Sequence, residues 1–232
     1  MTHSSCFPYI LLYVGCIRKK KKGAAVIFAA TPRGLSSPCH IRDPMVEPAL
    51  KIILTGYRAT GKSTVGRLLA TRLGLDFIDM DAAIAAQEGR SIRQIVAEQG
   101  WNHFRTLERD LLADLVNRDK VVIATGGGAI LHQDTWSRLR ETGLVVWLTA
   151  DIDTICRRLL DDGNSDSQRP SLTDSDICAE VAFMLAEREP LYEKGSHFAV
   201  STVEKSTEQI VDSIEKALAD STFLRAAKHI KN

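Results

Sequence analysis

Gly56-Tyr57-Arg58-Ala59-Thr60-Gly61-Lys62-Ser63-Thr64 follows directly on the apolar run Ile52-Ile53-Leu54. The pattern G-x-x-x-x-G-K-[ST] between a strand and a helix is a phosphate-binding loop, and each of its elements has a physical task. Gly56 and Gly61 let the backbone curl until successive N–H groups point at phosphate oxygens. Lys62 carries a positive charge to the outer phosphates, and Ser63 offers a hydroxyl to Mg2+. The helix that starts here turns the positive end of its dipole toward the same anion. Val65, Leu68, Leu69 and Leu73 recur at helical spacing, so the required context is present. The stretch therefore predicts a nucleoside triphosphate, bound with Mg2+.

Outward from the loop, strand and helix signals alternate. Ile52 to Leu54, Phe77 to Ile78, Val121 to Ala124, Val145 to Leu148 and Phe198 to Val200 are short apolar runs. Between them lie helical periodicities such as Ile92-Ile95-Val96, Leu107-Leu111-Leu112-Leu115 and Ile210-Ile214-Leu218. This alternation predicts an α/β fold with a parallel sheet flanked by helices on both faces. Ser91 with Gln94 has the spacing of a capping box. The interval from Asp161 to Gln168 is polar and turn-rich, which predicts a mobile surface loop, and beside a phosphate site that suggests a lid.

At 232 residues, with 44% hydrophobic and 25% charged residues, the chain has the composition of a soluble globular protein with one sizeable core. Its net charge of +1 conceals an asymmetry. Residues 1–44 hold seven Lys and Arg against one acid, leaving 23 basic and 28 acidic residues for the rest. A mildly acidic body gives no sign of a nucleic-acid surface. Cys156 and Cys178 are the body's two cysteines and form no C-x-x-C or zinc-spaced cluster, so free thiols in a reducing cytoplasm are expected rather than a disulfide framework.

Three further groups of residues carry chemistry. Phe77-Ile78-Asp79-Met80-Asp81 places two carboxylates at the C-terminal end of the second predicted strand, the edge where open parallel sheets bind ligands. Phosphoryl transfer to an alcohol needs a positioned metal and an oriented acceptor hydroxyl. Asp79 suits the metal shell, through water, and Asp81 the acceptor hydroxyl; alternatively Asp81 is only a helix cap. Thr125-Gly126-Gly127-Gly128 follows the third strand, and such a run either lets a ligand approach backbone N–H groups or makes a tight connection. Arg105 precedes Glu108 on one helical face, where an i to i+3 ion pair fixes its guanidinium. Arg188 lies in Glu187-Arg188-Glu189-Pro190-Leu191-Tyr192, and two arginines converging on one site suit a substrate carboxylate. Arg169, in Gln168-Arg169-Pro170, closes the candidate lid and is suited to the nucleotide phosphates. Arg157 and Arg158 are both candidates for contact with the base.

The order phosphate loop, F-I-D-M-D, F-R-x-x-E, T-G-G-G, R-P and E-R-x-P-L-Y resembles that of the shikimate kinases over about residues 50 to 218. The resemblance implies a three-layer P-loop kinase of nucleoside-monophosphate-kinase type with a five-stranded parallel sheet and a mobile lid. It also implies ATP-dependent phosphorylation of the 3-hydroxyl of shikimate. By resemblance, Ala59, Thr60, Gly61, Lys62, Ser63 and Thr64 form the ATP-phosphate segment, Ser63 is a Mg2+ ligand, and Asp79 holds Mg2+ through water. Asp81, Arg105, Gly126, Gly127, Gly128 and Arg188 correspond to shikimate contacts, and Lys62, Asp81 and Arg169 to the catalytic set, with Arg169 on ATP. Trp101 and His103 match no functional position and read as packing residues. Ala59 stands where the family often has Gly, which is tolerable only at a negative φ. Ser171 replaces the usual Leu after Arg-Pro.

The expected organisation is a non-catalytic extension over residues 1–48, a kinase domain over 49–220 and a tail over 221–232. Residues 6–17 form an apolar run too short to span a bilayer, with its basic cluster on the wrong side for a secretory signal. A translation start at Met45 is the favoured origin of the extension, an organellar transit peptide the alternative. A cytoplasmic monomer that binds shikimate and ATP, with no nucleic-acid or membrane partner, is the expectation.

Overall fold

The computed structural model describes residues 50–161 and 177–220; the N-terminal extension, the segment holding Arg169 and Ser171, and the C-terminal tail lie outside the described residues. All five predicted strands are present: β1 (Lys51–Thr55), β2 (Asp76–Asp79), β3 (Val121–Ala124), β4 (Leu144–Thr149) and β5 (Phe198–Ser201). The helices are α1 (Lys62–Leu73), α2 (Met80–Glu88), α3 (Ile92–Leu115), α4 (Gln133–Thr142), α5 (Ile152–Asp161), α6 (Ile177–Gly195) and α7 (Thr207–Asp220). One parallel sheet runs in the order β2-β3-β1-β4-β5.

The central strands are covered on both faces, which is why they read as unbroken apolar runs. Alternate residues of β1 serve different cores. Ile52 and Leu54 pack with Val122 and Val146 under Val65, Leu69, Val211 and Ile214 of α1 and α7. Ile53 packs with Ile123 and Val145 over Leu112, Trp136, Leu139 and Tyr192, on α3, α4 and α6. Each such side chain, fully buried, contributes about 1.5–3 kcal/mol.

Strand order sets the place of the site. Leu54 and Asp79 both pair with Ala124, so β1, β3 and β2 end level with one another. The phosphate loop, the T-G-G-G run and the acid pair therefore leave three adjacent strands at one edge of the sheet. Thr125 ties two of these exits together, its N–H and its hydroxyl both donating to the Leu54 carbonyl at 3.0 and 3.1 Å.

Local signals fix the helices around this edge. The Ser91–Gln94 capping box forms as expected. Behind it α3 breaks at Gly100, whose φ of 80° lies outside helical geometry, and resumes through Trp101 to Leu115. No helix among the described residues is long and apolar enough to cross a membrane.

One expectation is corrected. Cys156 and Cys178 are joined as a disulfide, their Cα atoms 5.6 Å apart. They lie 22 residues apart in sequence, but α5 and α6 pack side by side, with Cys156 buried and Cys178 half-buried against Ile155, Leu159 and Val181. Linear spacing conceals this pairing because the packing of two helices creates it.

Candidate active site

The phosphate loop folds as its glycines require. Gly56 has a φ of 138°, and a Cβ there would meet the Leu148 carbonyl oxygen at 2.4 Å, so only glycine fits. Gly61, at φ 86°, is the N-cap of α1. Lys62 is nearly buried, and its ammonium donates to the Gly56 and Tyr57 carbonyls at 3.0 and 2.7 Å. The Thr60 hydroxyl donates to Tyr57 O at 2.8 Å, while Thr64 is exposed.

Ala59 departs from expectation. Its φ is +59°, in the left-handed region, where an alanine costs roughly 1–2 kcal/mol. The surroundings hold it there. Arg158 on α5 donates to the Ala59 carbonyl at 3.1 Å and, beyond β5, to the Thr202 hydroxyl and carbonyl at 3.0 and 2.8 Å. Arg58, beside it, comes within 4.0 Å of the buried Glu180 on α6. Arg158, considered from sequence only as a base contact, thus supports the loop.

The acid pair is brought to the loop by a close approach of α1 and β2. Gly66 costs about 1 kcal/mol in a helix interior relative to Ala. A Cβ there would lie 2.5 Å from the Phe77 ring, which would have to shift to admit one. Ser63 shares a helix face with Gly66, and Asp79 a strand face with Phe77. The contact between the Ser63 hydroxyl and an Asp79 carboxylate oxygen follows. The other Asp79 oxygen accepts from the Asp81 and Ala82 N–H groups at 3.1 and 3.2 Å, so Asp79 caps α2. Asp81, partly buried in the first turn, is not the cap.

The acceptor side is built on the T-G-G-G run, whose residues are all buried. A Cβ on Gly127 would stand 3.5 Å from Arg58 N and 3.6 Å from Gly56 O, so this run packs against the phosphate loop. A Cβ on Gly128 would overlap the Arg105 guanidinium, which lies directly on the glycine. Arg105 donates to Glu108 at 2.6 Å, the ion pair expected from spacing, and sits about 5.5 Å from the centres of the Trp101 and Phe104 rings. Trp101, read as packing, thus also borders a functional arginine.

Arg188 comes to the same run from α6. It is 6% exposed and donates to the Gly127 carbonyl at 3.2 Å. Tyr192, one turn on, donates to that same oxygen at 2.5 Å and stacks on Trp147. Burial pushes the Tyr192 hydroxyl up to about 12, so it stays a neutral donor. The E-R-x-P-L-Y motif contains Tyr192, but its role was missed, because its partner lies 65 residues upstream.

Thus the phosphate-loop residues, Asp79, Asp81, Arg105, Gly126, Gly127, Gly128 and Arg188 fall at one edge of the sheet, while Arg169 lies outside the described residues. A phosphate loop at the middle strand, an acid pair beside it and two arginines on one glycine run define a P-loop kinase. The shikimate kinase family model matches residues 58–219. A shikimate kinase of Nitratidesulfovibrio vulgaris is 44% identical over 150 residues, 65% of this chain and 85% of that protein. One of Geobacter metallireducens is 39% identical over 180 residues, 78% of this chain and 93% of that protein. The solved shikimate kinase of Acinetobacter baumannii in complex with shikimate superposes with a TM-score of 0.69 at 32% identity, covering 75% of this chain and 94% of that one. The chain belongs to the shikimate kinase family.

Proposed function

We propose that the protein transfers the γ-phosphoryl group of ATP to the 3-hydroxyl of shikimate, giving 3-phosphoshikimate and ADP, in the route to chorismate and the aromatic amino acids. The observation that carries this reading is the convergence of Arg105 and Arg188 on Gly128 and Gly127, a run that itself abuts the phosphate loop. Two guanidinium groups one residue apart on a glycine run suit a carboxylate, which they grip through paired charge-assisted hydrogen bonds.

The donor set fits Mg2+. A hard cation takes oxygen ligands and commonly a single carboxylate beside substrate phosphates, and Ser63 with Asp79 presents a hydroxyl and a carboxylate in contact. Held by Ser63 and, through water, by Asp79, Mg2+ would neutralise charge on the transferring phosphate.

The chain's own residues then divide the work. The N–H groups from Ala59 to Thr64 and the α1 dipole hold the phosphates. Lys62, already beside the loop carbonyls, turns its charge to the outer phosphates. Arg105 and Arg188 hold the acceptor carboxylate, and the Gly126 to Gly128 backbone borders the ring. Asp81 orients the reacting hydroxyl and accepts its proton. Much of the acceleration comes from this positioning. Arg169 is assigned to the ATP phosphates on its sequence context. The catalytic unit spans residues 49–220, flanked by the extension and the tail, and works as a monomer in the cytoplasm.

The test is ADP release in a coupled assay with ATP-Mg2+ and shikimate, with gluconate and nucleoside monophosphates as alternative acceptors. Release with shikimate alone is expected; release with another acceptor and none with shikimate overturns the reading. Asp81→Asn is expected to lose turnover by at least about 10^2-fold while nucleotide still binds, and unchanged turnover would refute the role of Asp81.

A further inference from the structure

His132 follows the Gly126–Gly128 run by one short turn, Ala129–Leu131, and immediately precedes α4. Its backbone is fixed at both ends of that turn. The His132 N–H donates to Ala129 O at 3.2 Å, and its carbonyl accepts from Trp136 N at 2.8 Å. The ring turns back toward α3, where Nε2 stands 3.2 Å from Glu108 Oε2. Paired with Arg105, the Glu108 carboxylate is an acceptor, and Nε2 is assigned the hydrogen that it donates. The same Glu108 oxygen accepts from Arg105 Nη1 at 2.6 Å. Glu108 is fully buried, and the side chains of His132 and Arg105 are 14% and 21% exposed.

We propose that His132 is a positioning residue for acceptor binding, acting through Glu108 to hold Arg105 flat on Gly128. The inference rests on the shikimate reading above. Its physical basis is geometric. Arg105 touches the glycine run with its face and Glu108 with its edge, and Glu108 reaches back to the same run through His132. Residues 126–132 therefore supply both the floor under the guanidinium and the clamp on its carboxylate partner. A second donor on the same buried carboxylate oxygen narrows the positions that the oxygen can take. Removing His132 takes one hydrogen bond from the Glu108 oxygen that Arg105 also uses, and Arg105 then spends less time in the pose that meets the substrate carboxylate. The hydrogen-bond partner that His132 and Arg105 share lies on the acceptor side, so the effect should fall on acceptor binding rather than on nucleotide.

The experiment compares His132→Leu with His132→Gln in the full chain. Leucine removes the donor; glutamine carries an amide N–H to nearly the position of Nε2. For His132→Leu the shikimate KM is expected to rise roughly 5- to 20-fold, the loss of one hydrogen bond to a charged group, with kcat and the ATP KM within about twofold of wild type. His132→Gln is expected to restore most of that loss. Shikimate titrations followed by tryptophan fluorescence, which Trp101 beside Arg105 reports, should show the same rise in Kd for the leucine variant. An unchanged shikimate KM in His132→Leu overturns the proposal, as does a parallel rise of both KM values with a lowered Tm, which marks a purely structural residue. Failure of glutamine to rescue overturns the donor assignment. If His132→Leu does not fold, the glutamine variant alone decides, since a rise beyond about fivefold in its shikimate KM refutes the clamp. A wild-type protein that releases no ADP with shikimate overturns the parent reading and this inference together, whereas an active wild type with an unaffected leucine variant overturns this inference alone.

Discussion

Two lysines frame β1, Lys51 at its start and Lys62 just past the loop that follows it, and both ammonium groups are largely out of water. Lys51 is fully buried and donates to Val116 O at 2.6 Å and to the Thr142 hydroxyl at 3.1 Å, partners 65 and 91 residues away in sequence. Lys62 donates to two carbonyls five and six residues before it. The first lysine sews α3 and α4 to the opposite edge of the sheet from the site. The second donates to carbonyls of its own loop, where an anion can draw it off. A buried cation with long-range partners is a fold element, and one with local partners can move to a ligand.

The largest effect should come from breaking the local half of this contrast. Lys62→Met is expected to lower kcat roughly 10^2- to 10^3-fold, as removal of a preorganised group facing developing charge does, with little change in the urea midpoint. A variant that instead unfolds, with activity kept in the folded fraction, would make Lys62 a fold element too.

Lys51→Met should do the reverse: full kcat, with stability lower by about 1–3 kcal/mol, because the Val116 carbonyl loses its donor. Part of that loss is offset by removal of a costly buried charge. The pH dependence sharpens the test. Burial, opposed by the nearby Asp119 carboxylate, lowers the pKa of Lys51 below its ordinary 10.5. Between that lowered value and 10.5 the unfolded chain binds a proton that the folded chain has released, so this group makes stability rise with pH. Wild type should therefore gain on the methionine variant as pH climbs toward 10.5 in urea titrations. A gap that narrows would overturn the assignment.

The smallest effect concerns the loop between the two lysines. Ala59→Gly removes left-handed strain but adds freedom to the unfolded chain, and the net gain should be below about 1 kcal/mol, read as a small rise in Tm with kcat unchanged. Destabilisation would mean that Arg158 and its neighbours fully accommodate the alanine.

The sequence carried much of this. The loop glycines, Lys62, the five apolar runs and the Arg105–Glu108 spacing are local signals, because each depends on neighbours within a turn or a strand. What escaped depends on topology. The Ala59 carbonyl, in its left-handed residue, accepts from Arg158, 99 residues on. The Gly127 carbonyl gathers Arg188 and Tyr192 across 61 and 65 residues. Cys156 and Cys178 meet only once α5 and α6 are packed. Composition had argued for free thiols because a count of cysteines holds no information about which helices become neighbours. Asp79 and Asp81 were legible as acids with different tasks, but the helix cap was not, since the sequence offered Asp81 for it and only the backbone path selects Asp79.

The Gly66–Phe77 approach has a meaning for anyone redesigning this enzyme. Position 66 lies outside the phosphate loop and touches no substrate residue, so a directed-evolution library would treat it as free scaffold. It is instead where α1 meets the Phe77 ring of the strand that carries Asp79, and a single methyl group there would press on that ring. Mutational tolerance in α1 is therefore governed by a glycine that no inventory of active-site residues would include.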